Sequence, residues 1–139
     1  MKLKLKNKRI VIVGVIVFII LVSIIAVIIV NSKSEKSIKN RYEKIVRELG
    51  KEFYENHYYD LVTVTNGSNY IQAFDELGFT FDLDSLSSIS IKAKNKAAKL
   101  ESKDYTCGKY STKVIVHPKN PYGKKDYDID VILDCGFDK

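Results

Sequence analysis

The sequence predicts an α+β protein in which an N-terminal transmembrane helix runs into an amphipathic helix. That second helix packs on a small antiparallel sheet ending in a disulfide-clasped hairpin. Three observations carry this expectation: a long uncharged apolar run near the N-terminus, an apolar stripe at helical spacing just after it, and two alternating segments bracketed by the only two cysteines. Four segments follow: a basic tail over 1–9, the transmembrane helix over 10–30, a juxtamembrane amphipathic helix over 31–60, and an α+β domain over 61–139.

The run Ile10–Val30, "IVIVGVIVFIILVSIIAVIIV", holds 21 residues and no charge. As a helix it is about 31 Å long, against a hydrocarbon core of about 30 Å. Its β-branched residues do not favour helix in water. In lipid, a single segment must satisfy its own backbone hydrogen bonds, so helix is the form it takes. The run is longer than the apolar region of a cleaved signal peptide, about 7–15 residues. The expectation is an uncleaved anchor in a lipid bilayer.

Charge gives the orientation. "MKLKLKNKR" carries five basic residues and no acid. Lys33, Lys36, Lys39, Arg41 and Lys44 lie on the far flank, so the N-terminal side leads by density rather than by number. The reading is N-terminus cytoplasmic and C-terminal domain extracytoplasmic, at the cell membrane. Of the formal +6, the first nine residues carry +5, which leaves +1 for residues 31–139. The basic pI therefore belongs to the tail, and a nucleic-acid partner, which requires a basic stripe on the folded part, is not expected. "KAKNKAAK", Lys92–Lys99, is the one dense basic stretch beyond the tail; it reads as a solvated surface, with anionic lipid or wall polymer as the other reading. Lys outnumbers Arg twenty to three, with many Ile and no Trp, a composition suggestive of an AT-rich bacterial genome.

After the anchor, Ile38, Tyr42, Ile45, Leu49 and Phe53 recur at spacings of four, three, four and four, an apolar stripe widened by Val46. Glu43 and Arg47 form a supporting pair four residues apart. Gly50 costs such a helix about 1 kcal/mol without ending it. No Pro or Gly separates stripe from anchor, so one continuous helix is favoured over a fresh start at a Ser32–Glu35 capping box. Next, "LVTVT" reads as a short strand ended at Asn66-Gly67. "NYIQAFDELG" reads as a short helix with Ile71, Phe74 and Leu77 inward and Gly78 as its stop. "FTFDLDSL" alternates briefly, "SISIKAK" reads as another strand, and "NKAAKLESKDY" as loop or a frayed helical turn. The sheet has three to five strands.

The hairpin is the most explicit element. "KYSTKVIVH" and "DYDIDVILD" both alternate. Between them, Asn120-Pro121-Tyr122-Gly123 suits a type I turn. A register placing Val114 opposite Ile129 also sets Lys113 against Asp130 and Lys109 against Asp134. In it Cys107 and Cys135 fall one step from directly opposite, with Gly108 and Gly136 available to bend the chain. Two cysteines so placed form a disulfide. That chemistry belongs outside the cytosol.

The order of elements, with a basic tail, an apolar helix continuing into an amphipathic one, a sheet and a late disulfide, resembles the pilin-like architecture. The resemblance implies assembly with an envelope partner or with further copies. The family's processing signature, Gly before Phe or Met with Glu five residues on, is replaced here by Gly14-Val15 and Ile19.

Catalytic patterns are sparse. His57 and His117 are the two histidines, and a small envelope enzyme or metal-dependent hydrolase would have to use one of them. No HxxxH or paired CxxC spacing provides a zinc site. Asp82–Ser85 alternates carboxylates but lacks the Gly and closing Glu of an EF-hand loop. No Gly-rich phosphate loop is present, and no cofactor is expected. Of eight tyrosines beyond residue 50, Tyr122 is placed at the tip of the hairpin loop and is expected to be exposed. With Lys119, Lys124 and Lys125 it is the expected partner-binding surface of a non-catalytic interaction or assembly protein.

Overall fold

The computed structural model describes residues 2–137, and the side chains of 13–29 and 34–137. The basic residues of the tail and Lys33 therefore lie outside the described side chains. Helix α1 spans Lys2–Phe53. The chain divides into two compact units, 1–38 and 39–139.

In the first unit α1 presents apolar side chains all round. Its large apolar residues from Val13 to Ile29 are 49–67% exposed, and none of its most apolar window, of mean hydropathy 3.5, is covered by protein. It is one helix long and apolar enough to cross a membrane. Ser23 donates its hydroxyl to the Ile19 carbonyl at 2.8 Å, so the one polar side chain in the stretch is satisfied within the helix.

The second unit begins with the rest of α1. Tyr42, Val46 and Leu49 are fully buried, while Ile45 and Phe53 are half-buried, so the stripe is centred on the first three. Burying Val46 and Leu49 contributes about 1.5–3 kcal/mol each, whereas the Tyr42 hydroxyl is buried with no hydrogen-bond partner among the described residues, which offsets part of that ring's gain. Gly50 is itself buried. A Cβ built there would lie 2.6 Å from Cγ1 of Val114, so glycine is what lets α1 approach the sheet.

Past Phe53 the backbone loosens into a π turn, Tyr54–Tyr58, and then continues as α2, Tyr59–Asn66. The expected strand at "LVTVT" is therefore helix. Thr63 and Thr65 turn their hydroxyls onto the carbonyls four residues back, those of Tyr59 and Leu61, at 2.9 and 2.7 Å. Those bonds let β-branched residues sit in a helix. Only Val62 is buried, and Leu61 and Val64 are exposed, so the alternation does not mark a buried face. Gly67, at φ 82°, ends α2. α3 (Ser68–Gln72) and its following turns reach Gly78, at φ 71°, as expected for a stop. Ile71 is buried and Phe74 half-buried, but Leu77 points out, 78% exposed, because the helix has already unwound into turns there.

Strand β1 (Phe79–Asp82) buries Phe79 and Phe81. Asp82 then caps α4 (Leu83–Ser88), accepting from the Ser85 amide at 2.8 Å. The expected strand at "SISIKAK" is also helix: Ser90 accepts from the Ala93 amide at 3.0 Å and starts α5, Ile91–Ala97, which a short 3₁₀ turn extends to Leu100. Two N-caps override the local alternation.

β2 (Lys113–Pro118) and β3 (Tyr127–Ile132) complete an antiparallel sheet of order β1-β2-β3. Val114 pairs with Val131 and Val116 with Ile129, a slip of two residues from the expected register. An even slip keeps each side chain on its face. The loop between the paired residues Pro118 and Tyr127 runs over 119–126, two residues longer than the expected register allows. Its first turn is closed by the Tyr122 amide on the Lys119 carbonyl. A second turn closes Asp126 N on Gly123 O at 3.0 Å, so two turns replace the single type I turn. Lys113 then faces Ile132, and Asp130 lies 3.4 Å from His117 instead.

Cys107 and Cys135 form a disulfide across 28 residues. The strand expected from Lys109 starts later, because residues 108–112 curl into a turn closed by Thr112 N on Gly108 O at 3.0 Å. Thr112, fully buried, replaces the missing strand pairing: its hydroxyl donates to the Asp134 carbonyl and accepts from the Asp134 amide, at 3.3 and 3.2 Å.

Candidate functional site

The hairpin loop is built onto the helices rather than free. Tyr59, in the first turn of α2, donates its hydroxyl to the Tyr122 carbonyl at 2.9 Å. Tyr122, at φ 63°, donates its own hydroxyl to Asp75 at 3.0 Å. Lys124 reaches Asp60 at 2.6 Å, and Lys119 pairs with Asp128. Gly123 lies so close to the Asp126 carboxylate that a Cβ there would stand 2.6 Å from it. Tyr122 is thus partly buried, not the free tip expected from the sequence. Of the four loop residues singled out, Lys125 alone has no partner among the described residues.

Electrostatics follow from these contacts. The hydrogen bond to the Asp75 carboxylate is the main cause that raises the Tyr122 phenol above its ordinary range. Burial first, and then the hydrogen bond to Glu55, raises Tyr127. Burial likewise raises Tyr54, which stacks among Tyr58, Tyr59, Phe79 and Tyr127. Asp82 is lowered by the Ser85 amide it caps, which fixes that carboxylate as a helix cap.

The histidines lie on different elements. His57 is exposed on the π turn beside Phe53, and His117 sits on β2 against Asp130. Among the described residues, no group of three His, Cys, Asp or Glu side chains is placed to hold a metal ion.

A cleft that sequence reasoning missed lies between α4, α5 and the turn at Lys109. It encloses about 570 Å³ and is lined by Asp84, Ser87, Ser88, Ser90, Lys94 and Lys109, with Ile91 at its rim. A smaller hollow of about 260 Å³ shares Ser87, Lys94 and Lys109 and reaches the disulfide at Cys107. The turn is held in place by Asp84 N on Lys109 O and Leu83 N on Thr112 O, both 3.0 Å, and by Gly108 N on Asp134 O at 2.8 Å. These residues are dispersed over 26 positions of sequence, from 84 to 109, and the signals of them are the basic stretch containing Lys94 and the paired carboxylates of Asp82–Ser85, which contain Asp84.

Compared with family models, with curated proteins and with solved structures, the chain matches none.

Proposed function

We propose that this chain is a single-pass membrane-anchored protein whose residues 39–139 work on the extracytoplasmic side as a non-catalytic interaction or assembly subunit of the cell envelope. The observation that carries the reading is the bare apolar helix. A row of large aliphatic side chains from Val13 to Ile29, each about half exposed or more, would strongly favour association in water; lipid is the solvent that suits it. The disulfide supports the assignment of compartment, since a bond of this kind persists where thiols are not kept reduced. The density of positive charge ahead of the anchor supports the same orientation.

The partner is another envelope protein or further copies of the chain, as in the pilin-like arrangement. The hairpin loop is the contact surface: hydrogen bonds to Tyr59 and Asp75 and the ion pair to Asp60 hold it rigid, so little conformational entropy is lost on docking. Alkaline carbonate extraction tests the anchor. The full chain is expected to stay in the membrane pellet, and a chain lacking 10–30 is expected in the supernatant. Release of the full chain by carbonate would overturn the reading.

A further inference from the structure

The lysines of α5 divide into two sets. Lys92 and Lys96, four apart and on one side of the helix, reach α1: Lys92 lies 3.8 Å from Glu52, and Lys96 lies 3.4 Å from Glu48 and 3.5 Å from Glu52. Lys94 stands two residues from each and so about 200° around the helix. It lines the cleft facing α4, together with Lys109 from the disulfide-anchored turn. Neither Lys94 nor Lys109 has an acidic partner among the described residues. Ser87, Ser88, Ser90 and Asp84 complete the polar lining of the cleft.

We propose that this cleft binds a phosphorylated polyol or sugar. Two ammonium groups are compact point charges suited to the tetrahedral oxygens of a phosphate; a planar carboxylate is better matched by the fork of an arginine, which the cleft lacks. Asp84 has the opposite use. A carboxylate in an anion site repels a bare dianion, but it accepts hydrogen bonds from the hydroxyls of a polyol. Ser87 and Ser88 already donate to the Asp84 carbonyl, at 3.0 and 2.6 Å, and so offer lone pairs to the hydroxyls of a polyol, while the Ser90 hydroxyl, which accepts from the Ala93 amide, keeps its proton for the phosphate. The cleft therefore selects for a phosphate that carries hydroxyls over phosphate-like charge alone. The open volume, about 570 Å³, accommodates a small phosphorylated sugar or one unit of a polymer.

The test is a titration of the ¹⁵N-labelled full chain, in uncharged detergent micelles, with sn-glycerol 3-phosphate and separately with sodium sulfate. Glycerol phosphate is expected to shift the amides of Ser87, Ser88, Ser90, Lys94 and Lys109. Lys94→Ala and Lys109→Ala are expected to weaken that response about tenfold, the loss of one charge-assisted contact, while Lys103→Ala leaves it unchanged. Both cleft lysines are exposed, and an unchanged amide pattern elsewhere confirms that the variants fold. Bilayer discs of phosphatidylglycerol and of phosphatidylcholine distinguish the source. Cleft shifts in the first disc alone assign the ligand to a lipid headgroup; cleft shifts only with added glycerol phosphate assign it to a soluble or polymeric source. The proposal is overturned if glycerol phosphate gives no cleft shift at millimolar concentration, if sulfate reproduces the same shifts, or if the shifts spread to Lys103, Lys119 and Lys125.

Discussion

Gly50 of α1 lies directly against Val114 of β2: a Cβ on Gly50 would stand 2.6 Å from Cγ1 and 2.9 Å from Cγ2 of Val114. Helix propensity alone would have Gly50→Ala stabilise by about 1 kcal/mol. Overpacking a closed core costs about 1–3 kcal/mol. Since both neighbouring atoms belong to a stiff, fully buried valine, the packing cost is expected to win. Gly50→Ala should lower the midpoint of chemical denaturation, and the double variant Gly50→Ala, Val114→Ala should show favourable coupling relative to the sum of its parts.

The disulfide closes a loop of 28 residues' separation around the cleft turn, β2 and β3. In the chain-entropy treatment that closure stabilises by about 3–4 kcal/mol. Denaturation with and without a phosphine reductant, or of the Cys107→Ala, Cys135→Ala variant, should show a loss of that order. An unchanged midpoint would mean that the turn at 108–112 is held by its backbone bonds alone.

Tyr127 and Tyr54 make stability fall at high pH. Burial raises both phenols above the ordinary value of 10.0, and the Glu55 hydrogen bond raises Tyr127 further. Above pH 10 the unfolded chain releases these protons while the folded chain still holds them, so the stability present below pH 10 drains away as pH rises through the folded values. Denaturation midpoints should be level in this term below pH 9 and fall beyond pH 10. Tyr127→Phe should flatten that fall, although it also loses the bond to Glu55 and about 1 kcal/mol at neutral pH.

The loop's rigidity rests on a few hydroxyls. Tyr59→Phe removes the bond to the Tyr122 carbonyl and should cost about 0.5–1.5 kcal/mol locally. Hydrogen exchange at the Gly123 and Asp126 amides, which close the second turn, should accelerate in that variant while exchange across β1–β2 stays unchanged. If the contact surface is this loop, the same variant should weaken association with the envelope partner without unfolding the unit.

What could be read from the sequence follows physical range. The stripe of α1, the β2 and β3 segments and the cysteine pair were legible because each rests on a local period or on a residue type with one dominant use. The strands expected at Leu61–Thr65 and Ser88–Lys94 failed because alternation over five to seven residues is weaker than a cap or a hydroxyl bonded back along the helix, as at Ser90 and Thr63. The register slip goes with the two-turn loop over 119–126, to which the cross-strand charge pattern gives no clue. Gly50 was read as a helix cost because its partner Val114 is sixty-four positions away. The cleft was hidden for the same reason: Asp84, Lys94 and Lys109 are brought together only by tertiary structure.

Thiol accessibility in intact cells reports whether residues 39–139 stand outside the membrane. The chain is expressed in bacteria and treated with a membrane-impermeant maleimide of high mass, with and without prior reduction by an impermeant reductant. Two labels per chain are expected, only after reduction, on unlysed cells. Labelling that requires lysis but no reductant would place residues 39–139 in the cytosol with free thiols, and would contradict orientation and disulfide together.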